Sequence, residues 1–152
     1  MAFVAFECTN ELRKNQMLMP YYLVVSGRNA PQFSYGEELL HLLPDELFLK
    51  NLLKYDGIPD EVLKNEELLQ LLLPRLRADF ILIENYQYRE SLPLECPIYV
   101  LGGSDDYTVT QDGLVAWQNH TTKNCKLTLF PGGHFFINNN KKDVIKLIAS
   151  LY

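Results

Sequence analysis

Two glycine-rich segments carry residue types that could act together as an acid and a base. Residues 102–106 (GGSDD) and residues 130–136 (FPGGHFF) each come directly after a short apolar run that predicts a strand. An aspartate that accepts a hydrogen bond from Nδ1 of His134 would fix the imidazole tautomer, so that Nε2 could serve as a general base. Asp105 and Asp106 both qualify on spacing, because adjacent acids on one loop cannot be told apart.

A nucleophile to complete such a triad is hard to find. Ser104 lacks the final glycine of a G-x-S-x-G elbow, and no helix follows it immediately. Ser26 leads into a loop rather than into a helix whose N-terminus could stabilise an oxyanion. Cys8 lies within the first predicted helix, where we expect it to point into a packed face. We expect none of the three to be the nucleophile.

The other histidines have simpler interpretations. His41 lies in a leucine-rich stretch, so we expect it to pack or to hydrogen-bond locally. His120 ends a predicted helix, where a partly cationic imidazole would complement the helix dipole. Because no His, Cys or carboxylate cluster has ligand spacing, we expect neither a metal nor another cofactor.

Charge and cysteine usage exclude several classes of function. The net charge of −5 offers no footprint for nucleic acid or an anionic membrane surface. No run of 18 apolar residues is present, and Glu7 interrupts an apolar start that has no basic region, so we predict neither a membrane span nor a signal peptide. Cys8, Cys96 and Cys125 are scattered singly, which favours reduced, buried thiols in a cytoplasmic protein.

Strands and helices alternate around the two glycine-rich segments. The pattern predicts helices at residues 2–14, 111–120 and 141–151, strands at residues 21–25, 97–101 and 126–130, and a polar loop at residues 138–140. This alternation favours right-handed crossovers and a parallel sheet. Both glycine-rich segments then lie at the carboxyl end of the sheet, where open α/β sheets place their functional groups.

The middle of the chain, from about Tyr35 to Tyr88, is leucine-rich and helical in pattern. One helix is expected to begin at Asp45 and to end at residues 57–59, another to begin at Asp60, and a long one to follow Asn65, with Pro74 kinking or dividing it. Two interpretations carry equal weight on pattern alone. The leucines could cover a substrate pocket, or they could fill the core of an ordinary helical subdomain.

Taken in order along the chain, a set of short motifs resembles the type II thioesterases that accompany nonribosomal peptide and polyketide synthases. The motifs are AFVAFE at residues 2–7, VSGRNAP at 25–31, LPD at 43–45, LPRLRADF at 73–80, CPI at 96–98 followed by GG at 102–103, Trp117 with His120 and Thr121, and FPGGHFF at 130–136.

The resemblance implies an α/β fold. Residues 1–152 would form a single partial α/β-hydrolase domain, with the C-terminal strands of a parallel sheet, flanking helices and a helical lid inserted at about 35–88. It implies hydrolysis of acyl thioesters on carrier domains that bear a phosphopantetheine arm. His134 would be the catalytic base of the triad, and Asp106, 28 residues before it, would be the triad acid that orients His134.

One departure from the family pattern concerns the nucleophile. Family members carry a G-H-S-M-G elbow directly before the segment that matches residues 2–7, and Met1 falls where the elbow ends. The serine and the oxyanion donors are not among the 152 residues, so we expect no thioesterase activity from this chain alone.

The alternatives to a thioesterase are a non-catalytic module that binds an acyl chain or a carrier domain, and a degenerate remnant. An exposed sheet edge at residues 21–25 would favour self-association.

Overall fold

The computed structural model describes residues 2–33, 39–55 and 57–151, with only the backbone given at position 60. The chain divides into two compact units. Met1–Phe33 and Glu90–Tyr152 form the sheet unit, and Ser34–Arg89 forms the helical unit. Met1, Tyr35 and Tyr152, which bound the expected domain and lid, lie outside the described residues.

The elements follow one another in an order that alternates between strands and helices outside the helical unit. They are α1 (Ala2–Lys14), β1 (Leu23–Ser26), a 3-10 turn (Leu40–Leu42), α2 (Asp45–Leu53), α3 (Asp60–Leu63), α4 (Glu66–Glu84), β2 (Ile98–Gly103), α5 (Gln111–Val115), a second 3-10 turn (Ala116–His120), β3 (Cys125–Phe130), α6 (Phe136–Asn139) and α7 (Lys141–Ala149).

The three strands form a parallel sheet in the order β1-β2-β3, as the alternation predicts. Leu23 of β1 lies opposite Ile98 of β2, which lies opposite Cys125 of β3. The central strand β2 is almost entirely buried, because it has a strand on each side and packed side chains on its faces. Each strand begins and ends within two residues of its predicted bounds.

Helices α6 and α7 cover one face of the sheet. Leu101 and Phe130 from the strands pack with Phe136 of α6 and Val144 of α7 in a buried apolar cluster. The rings of Phe130 and Phe136 are stacked with centroids 5.6 Å apart. The predicted polar loop at residues 138–140 is therefore wrong in part, because burial of Phe136 at this cluster holds Phe136–Asn139 in a helical turn.

The predicted helix at residues 111–120 has two parts. It is α-helical from Gln111 to Val115 and continues as a 3-10 turn from Ala116 to His120. The α-helix begins at Thr110, whose side-chain oxygen accepts a hydrogen bond from Gly113 N at 3.0 Å. Trp117 is fully buried, and its ring meets the ring of Phe6 from α1 edge to face at 5.5 Å.

The helical unit has an apolar core of its own. Leu40, Phe48 and Leu52 are buried there, and α4 contributes half-buried side chains that include Leu73 and Phe80. Helix α2 starts at Asp45 as predicted but ends at Leu53, before residues 57–59.

Helix α4 passes through Pro74 without dividing. It runs from Glu66 to Glu84, so of the two alternatives for Pro74, a kink or a division of the helix, the division is wrong. The ring of Pro74 lies on the exposed side of the helix, where water can satisfy the carbonyl that loses its usual N–H partner. Asn65 caps the helix, because its side chain accepts a hydrogen bond from Leu68 N at 3.1 Å.

Among the described residues, no helix is both long and apolar enough to cross a bilayer.

Candidate active site

Three loops meet at the carboxyl end of the sheet. They begin at Gly27 after β1, at Ser104 after β2 and at Pro131 after β3. Because the strands are parallel, all three loops leave the same edge, which is where open α/β sheets hold ligands and reactive groups.

Backbone hydrogen bonds join the second loop to the third. Ser104 N donates to Phe130 O at 2.8 Å, and Asp105 N donates to Gly132 O at 3.0 Å. Gly103 permits this close approach, since a Cβ atom there would lie 2.3 Å from the carbonyl oxygens of Gly132 and Gly133. The acid-bearing loop and the base-bearing loop are therefore held at a fixed distance.

Within this frame, His134 and Asp106 are hydrogen-bonded. Nδ1 of His134 lies 2.9 Å from Oδ2 of Asp106. The Asp106 side chain is fully buried, whereas 28% of the His134 side chain is exposed. An ionised carboxylate can only accept, so Nδ1 carries the proton and the imidazole can use Nε2 for proton transfer.

Two opposing effects act on the pKa of Asp106. Burial works to raise the pKa, but hydrogen bonds from His134 and Thr108, together with the charge of His134, outweigh burial and hold it below its ordinary value. Asp106 is consequently ionised at neutral pH and available to orient the imidazole.

Asp105 has a different role in the structure from its neighbour. Its carboxylate is exposed and accepts a hydrogen bond from Gly132 N at 3.2 Å. Oγ of Ser104 donates to the same oxygen of Asp105 at 3.1 Å. Sequence spacing leaves the two acids equivalent, but in the structure the Asp105 carboxylate binds Gly132 N and the Asp106 carboxylate binds His134. The Ser104 hydroxyl is hydrogen-bonded to Asp105.

Two residues at the site were missed by sequence reasoning. Oγ1 of Thr108 lies 2.6 Å from Oδ1 of Asp106 and 3.0 Å from Nδ1 of His134. Gly27 has a φ of +58°, and a Cβ atom there would lie 3.3 Å from Cε1 of His134. An Asp in a loop can form an Asx turn with the backbone N two residues further on, and this local signal at Asp106 could have drawn attention to position 108. The proximity of Gly27 has no such local signal.

The loop after β1 is held in place by the helix that follows β2. Trp117 Nε1 donates to Arg28 O at 2.8 Å, and Ala30 N donates to Gly113 O at 2.8 Å. The side-chain oxygen of Asn29 accepts from Thr110 N at 3.0 Å. These bonds keep the first loop next to the other two. Ser26 is the last residue of β1 and pairs in register with Leu101.

The other two histidines lie in different environments from those expected. His120 is buried, its Nε2 is 2.6 Å from Oε1 of Gln32, and burial lowers its pKa, so it is neutral rather than a partner of the helix dipole. Nδ1 of His41 contacts Oε2 of Glu84, which lies 43 residues further along the chain, so this hydrogen bond is long-range rather than local.

The cysteines agree with expectation only in part. Cys96 is buried and Cys125 is half-buried, and burial raises the pKa of both thiols, although a backbone hydrogen bond partly opposes this at Cys96. Cys8 is exposed, so the prediction that it points into a packed face is wrong.

No group of His, Cys, Asp and Glu that could hold a metal ion occurs in the part of the chain that the structure describes.

Comparison with known proteins gives consistent matches along nearly the whole chain. A family model described as a thioesterase domain matches residues 2–152. The gramicidin S biosynthesis protein GrsT of Aneurinibacillus migulanus is 40% identical over 148 residues, which are 97% of this chain and 58% of GrsT.

Solved structures match equally well. The type II thioesterase BorB from the borrelidin biosynthetic cluster superposes with a TM-score of 0.88 at 35% identity, over 99% of this chain and 61% of BorB. ClbQ from the colibactin NRPS/PKS pathway gives a TM-score of 0.92 at 32% identity, over 99% of this chain and 64% of ClbQ. The predicted α/β-hydrolase-like fold class is confirmed. The chain spans 58% to 64% of the length of these relatives.

Proposed function

Because the chain belongs to the thioesterase family linked to nonribosomal peptide and polyketide biosynthesis, we propose that His134 and Asp106 are the base and the acid of a type II thioesterase. The substrate class is an acyl thioester on the phosphopantetheine arm of a carrier domain. The observation that carries the proposal is the 2.9 Å hydrogen bond between a buried, ionised Asp106 and a partly exposed His134 at the carboxyl end of the sheet.

The proposed reaction uses Nε2 of His134 in two successive half-reactions. It first takes the proton of a serine hydroxyl as the serine oxygen attacks the thioester carbonyl, and it then delivers that proton to the departing phosphopantetheine sulfur. In the second half-reaction the same nitrogen takes a proton from a water molecule as the water oxygen attacks the acyl-serine carbonyl, and it returns that proton to the serine oxygen as the free acid leaves. Asp106 stays ionised throughout and stabilises the imidazolium that forms in each step.

The serine belongs to an elbow motif that residues 1–152 do not contain. We therefore propose that the 152-residue chain supplies the base and the acid, and that serine-dependent turnover requires the segment that carries the elbow. Removing the serine from a triad leaves only residual catalysis by binding and oxyanion donors.

The helical unit, Ser34–Arg89, is proposed to act as the lid over the acyl chain. It has its own core around Phe48, and it exposes several large apolar side chains on α4 that this core does not use, namely Leu68, Leu71, Ile81 and Leu82. In a chimera that supplies the elbow segment, Leu71→Asp should raise the KM for long acyl chains more than the KM for acetyl, if these side chains receive the acyl chain. Equal effects on both substrates would contradict a lid role.

A further part of the proposal concerns association of the chain with a second copy of itself. Among the described residues, β1 pairs only with β2, so its other edge is open to another strand, and we propose self-association through it. Light scattering on a size-exclusion column should show a dimer or larger species at high concentration, whereas a monomer at every concentration would contradict this.

A cytoplasmic location is proposed from the three free cysteines, since reducing compartments preserve thiols.

The decisive experiment compares the chain with a chimera. The chimera joins the part of GrsT outside the matched residues, which we propose carries the elbow, to residues 2–152, and hydrolysis of an acylated carrier protein is measured. We expect turnover by the chimera, none by the 152-residue chain, and a loss of about 10³-fold or more in kcat for His134→Ala and Asp106→Asn.

Asp105→Asn is the matched control, since it neutralises the neighbouring, exposed carboxylate. The proposal is wrong if a folded His134→Ala chimera hydrolyses the substrate as fast as its parent, or if Asp105→Asn and Asp106→Asn are equally damaging. Saturable binding of the carrier protein by a folded chimera that shows no turnover would favour the binding-module alternative.

A further inference from the structure

Thr108 touches both members of the His134–Asp106 pair without being either of them. It lies between β2 and α5, two residues after Asp106. Its hydroxyl oxygen is 2.6 Å from Oδ1 of Asp106 and 3.0 Å from Nδ1 of His134, and its backbone N donates to the same Oδ1 at 3.0 Å.

The proton count decides the direction of each bond. A threonine hydroxyl has one proton to donate and can also accept. Oδ1 of Asp106 is an acceptor only, so the short contact of 2.6 Å uses the hydroxyl proton. Oγ1 of Thr108 therefore turns a lone pair toward Nδ1 of His134, which is favourable only when Nδ1 carries a proton.

The carboxylate of Asp106 is fully used in this arrangement. Oδ2 accepts from His134 Nδ1, and Oδ1 accepts from both the backbone N and the hydroxyl of Thr108. Because the Asp106 side chain is fully buried, these donors replace the solvation that water would provide. The carboxylate plane is also fixed, since both oxygens are held.

We propose that Thr108 is a positioning residue that holds the Asp106 carboxylate in place and fixes His134 in the tautomer protonated on Nδ1. This deepens the proposed function, on which its catalytic consequence rests. The Nδ1-protonated tautomer has an unprotonated Nε2, which is the form that can take a proton from a serine hydroxyl. Thr108 thus acts through His134 and Asp106 and does not itself touch the reacting atoms.

The tautomer can be read directly by nitrogen NMR on the ¹⁵N-labelled 152-residue chain at a pH where His134 is neutral. In the unmodified protein, Nδ1 of His134 should give the signal of a protonated nitrogen and Nε2 that of an unprotonated one. Thr108→Val keeps the shape of the side chain and the backbone donor but removes the hydroxyl. The Nε2-protonated form of His134 should become detectable in it, and Thr108→Ser should restore the original spectrum.

The inference can be overturned even if Thr108→Val does not fold. A predominant Nε2-protonated form of His134 in the unmodified protein would be sufficient. Unchanged tautomer signals in a folded Thr108→Val or Thr108→Ala protein would also overturn it.

Activity of the GrsT chimera separates this inference from the proposed function. Thr108→Val should lower kcat by about tenfold, the effect of one charge-assisted hydrogen bond, with little change in KM and with rescue by Thr108→Ser. If His134→Ala abolishes turnover but Thr108→Val changes neither kcat nor the tautomer, only the role of Thr108 is wrong. If the tautomer shifts while His134→Ala leaves turnover unchanged, the proposed function is wrong and the positioning role stands.

Discussion

Gly27 lies directly against the imidazole ring of His134. A Cβ atom at position 27 would be 3.3 Å from Cε1 and 3.5 Å from Nδ1 of that ring, and 3.8 Å from Oδ2 of Asp106. The backbone of Gly27 also has a φ of +58°, and its N donates to Leu101 O at 2.9 Å. The loop after β1 therefore forms one wall of the candidate site, and this wall requires a residue without a side chain.

Replacing Gly27 with alanine should destabilise the protein and disturb the histidine. The left-handed conformation alone costs a residue with a Cβ about 1–2 kcal/mol, and the contact with the ring adds to this. We expect the free energy of unfolding, measured with urea, to fall by at least about 1–2 kcal/mol and the His134 Hε1 resonance to move. Gly133→Ala is the control, because a Cβ atom there meets nothing within 4 Å. Equal losses in the two variants would contradict this account of Gly27.

Asp106 should make stability depend on pH in the acid range. Its folded-state pKa lies below the ordinary value of 3.8, so the unfolded chain binds a proton first as the pH falls. The stabilisation is therefore complete well above pH 3.8 and is lost as the pH falls from there through the folded-state pKa. We expect the stability difference between the protein and Asp106→Asn to shrink over this range, with a slope of at most about 1.4 kcal/mol per pH unit.

Urea titrations between pH 6 and pH 3 measure this difference, and Asp105→Asn again serves as the control. A difference for Asp106→Asn that stays constant across the range would show that the carboxylate is not preferentially ionised in the folded state. The same pH dependence in Asp105→Asn would assign the effect to the loop rather than to the His134 pair.

His120 is a base whereas Asp106 is an acid, but the protein should lose stability on acidification through both residues. Burial holds its pKa below the ordinary value of 6.5, so on acidification the unfolded chain takes up a proton before the folded chain does. Stability is retained above pH 6.5 and decreases as the pH falls below it. We expect His120→Gln to flatten the pH dependence between pH 7.5 and 5, and the His120 ring in the unmodified protein to titrate below pH 6.5 by NMR. A titration midpoint at or above 6.5 would contradict this.

The sequence predicts the sheet well because its strands carry their own signal. The apolar run at residues 97–101 is long, is followed by two glycines and lies between helical patterns, so β2 and its buried position follow from local information. The long helix α4 is predicted in position, but its continuity through Pro74 depends on where the ring faces, which depends on tertiary packing.

The site is predicted less completely than the sheet, because its contacts join residues that are far apart in the chain. Spacing leaves Asp105 and Asp106 equivalent, whereas the hydrogen bonds of the folded chain join the Asp106 carboxylate to His134 and the Asp105 carboxylate to Gly132 N. The approach of Gly27 to His134 joins residues that are far apart in the chain. No periodic pattern encodes such a contact, so it becomes visible only when the three loops are placed on the sheet.

Glu84 organises the start of the helical unit from the end of α4. Its side chain is fully buried, with Oε1 2.8 Å from Leu40 N and Oε2 3.1 Å from His41 N. The His41 ring contacts the same oxygen through Nδ1. On the same helix, Arg77 donates to His41 O at 2.5 Å and to Leu43 O at 2.8 Å. Two side chains of α4 thus bind both the donors and the acceptors of residues 40–43.

Glu84→Ala should loosen this segment locally. It leaves two backbone donors and an imidazole without their acceptor, and each buried unsatisfied group costs about 1–3 kcal/mol. We expect the amide protons of Leu40 and His41 to exchange with solvent at least about tenfold faster, since 1.4 kcal/mol corresponds to a factor of ten. Glu84→Gln, which keeps one carbonyl acceptor, should give an intermediate rate.

Asp79→Ala is the matched control, because Asp79 is an exposed acid on the same helix. It should leave the two amide rates unchanged, and the amides of β2 should be unaffected in all three variants. If Glu84→Ala slows or does not change exchange at Leu40 and His41, the carboxylate does not hold the segment. If the amides of β2 exchange faster as well, the effect of Glu84 is on global stability rather than on the helical unit.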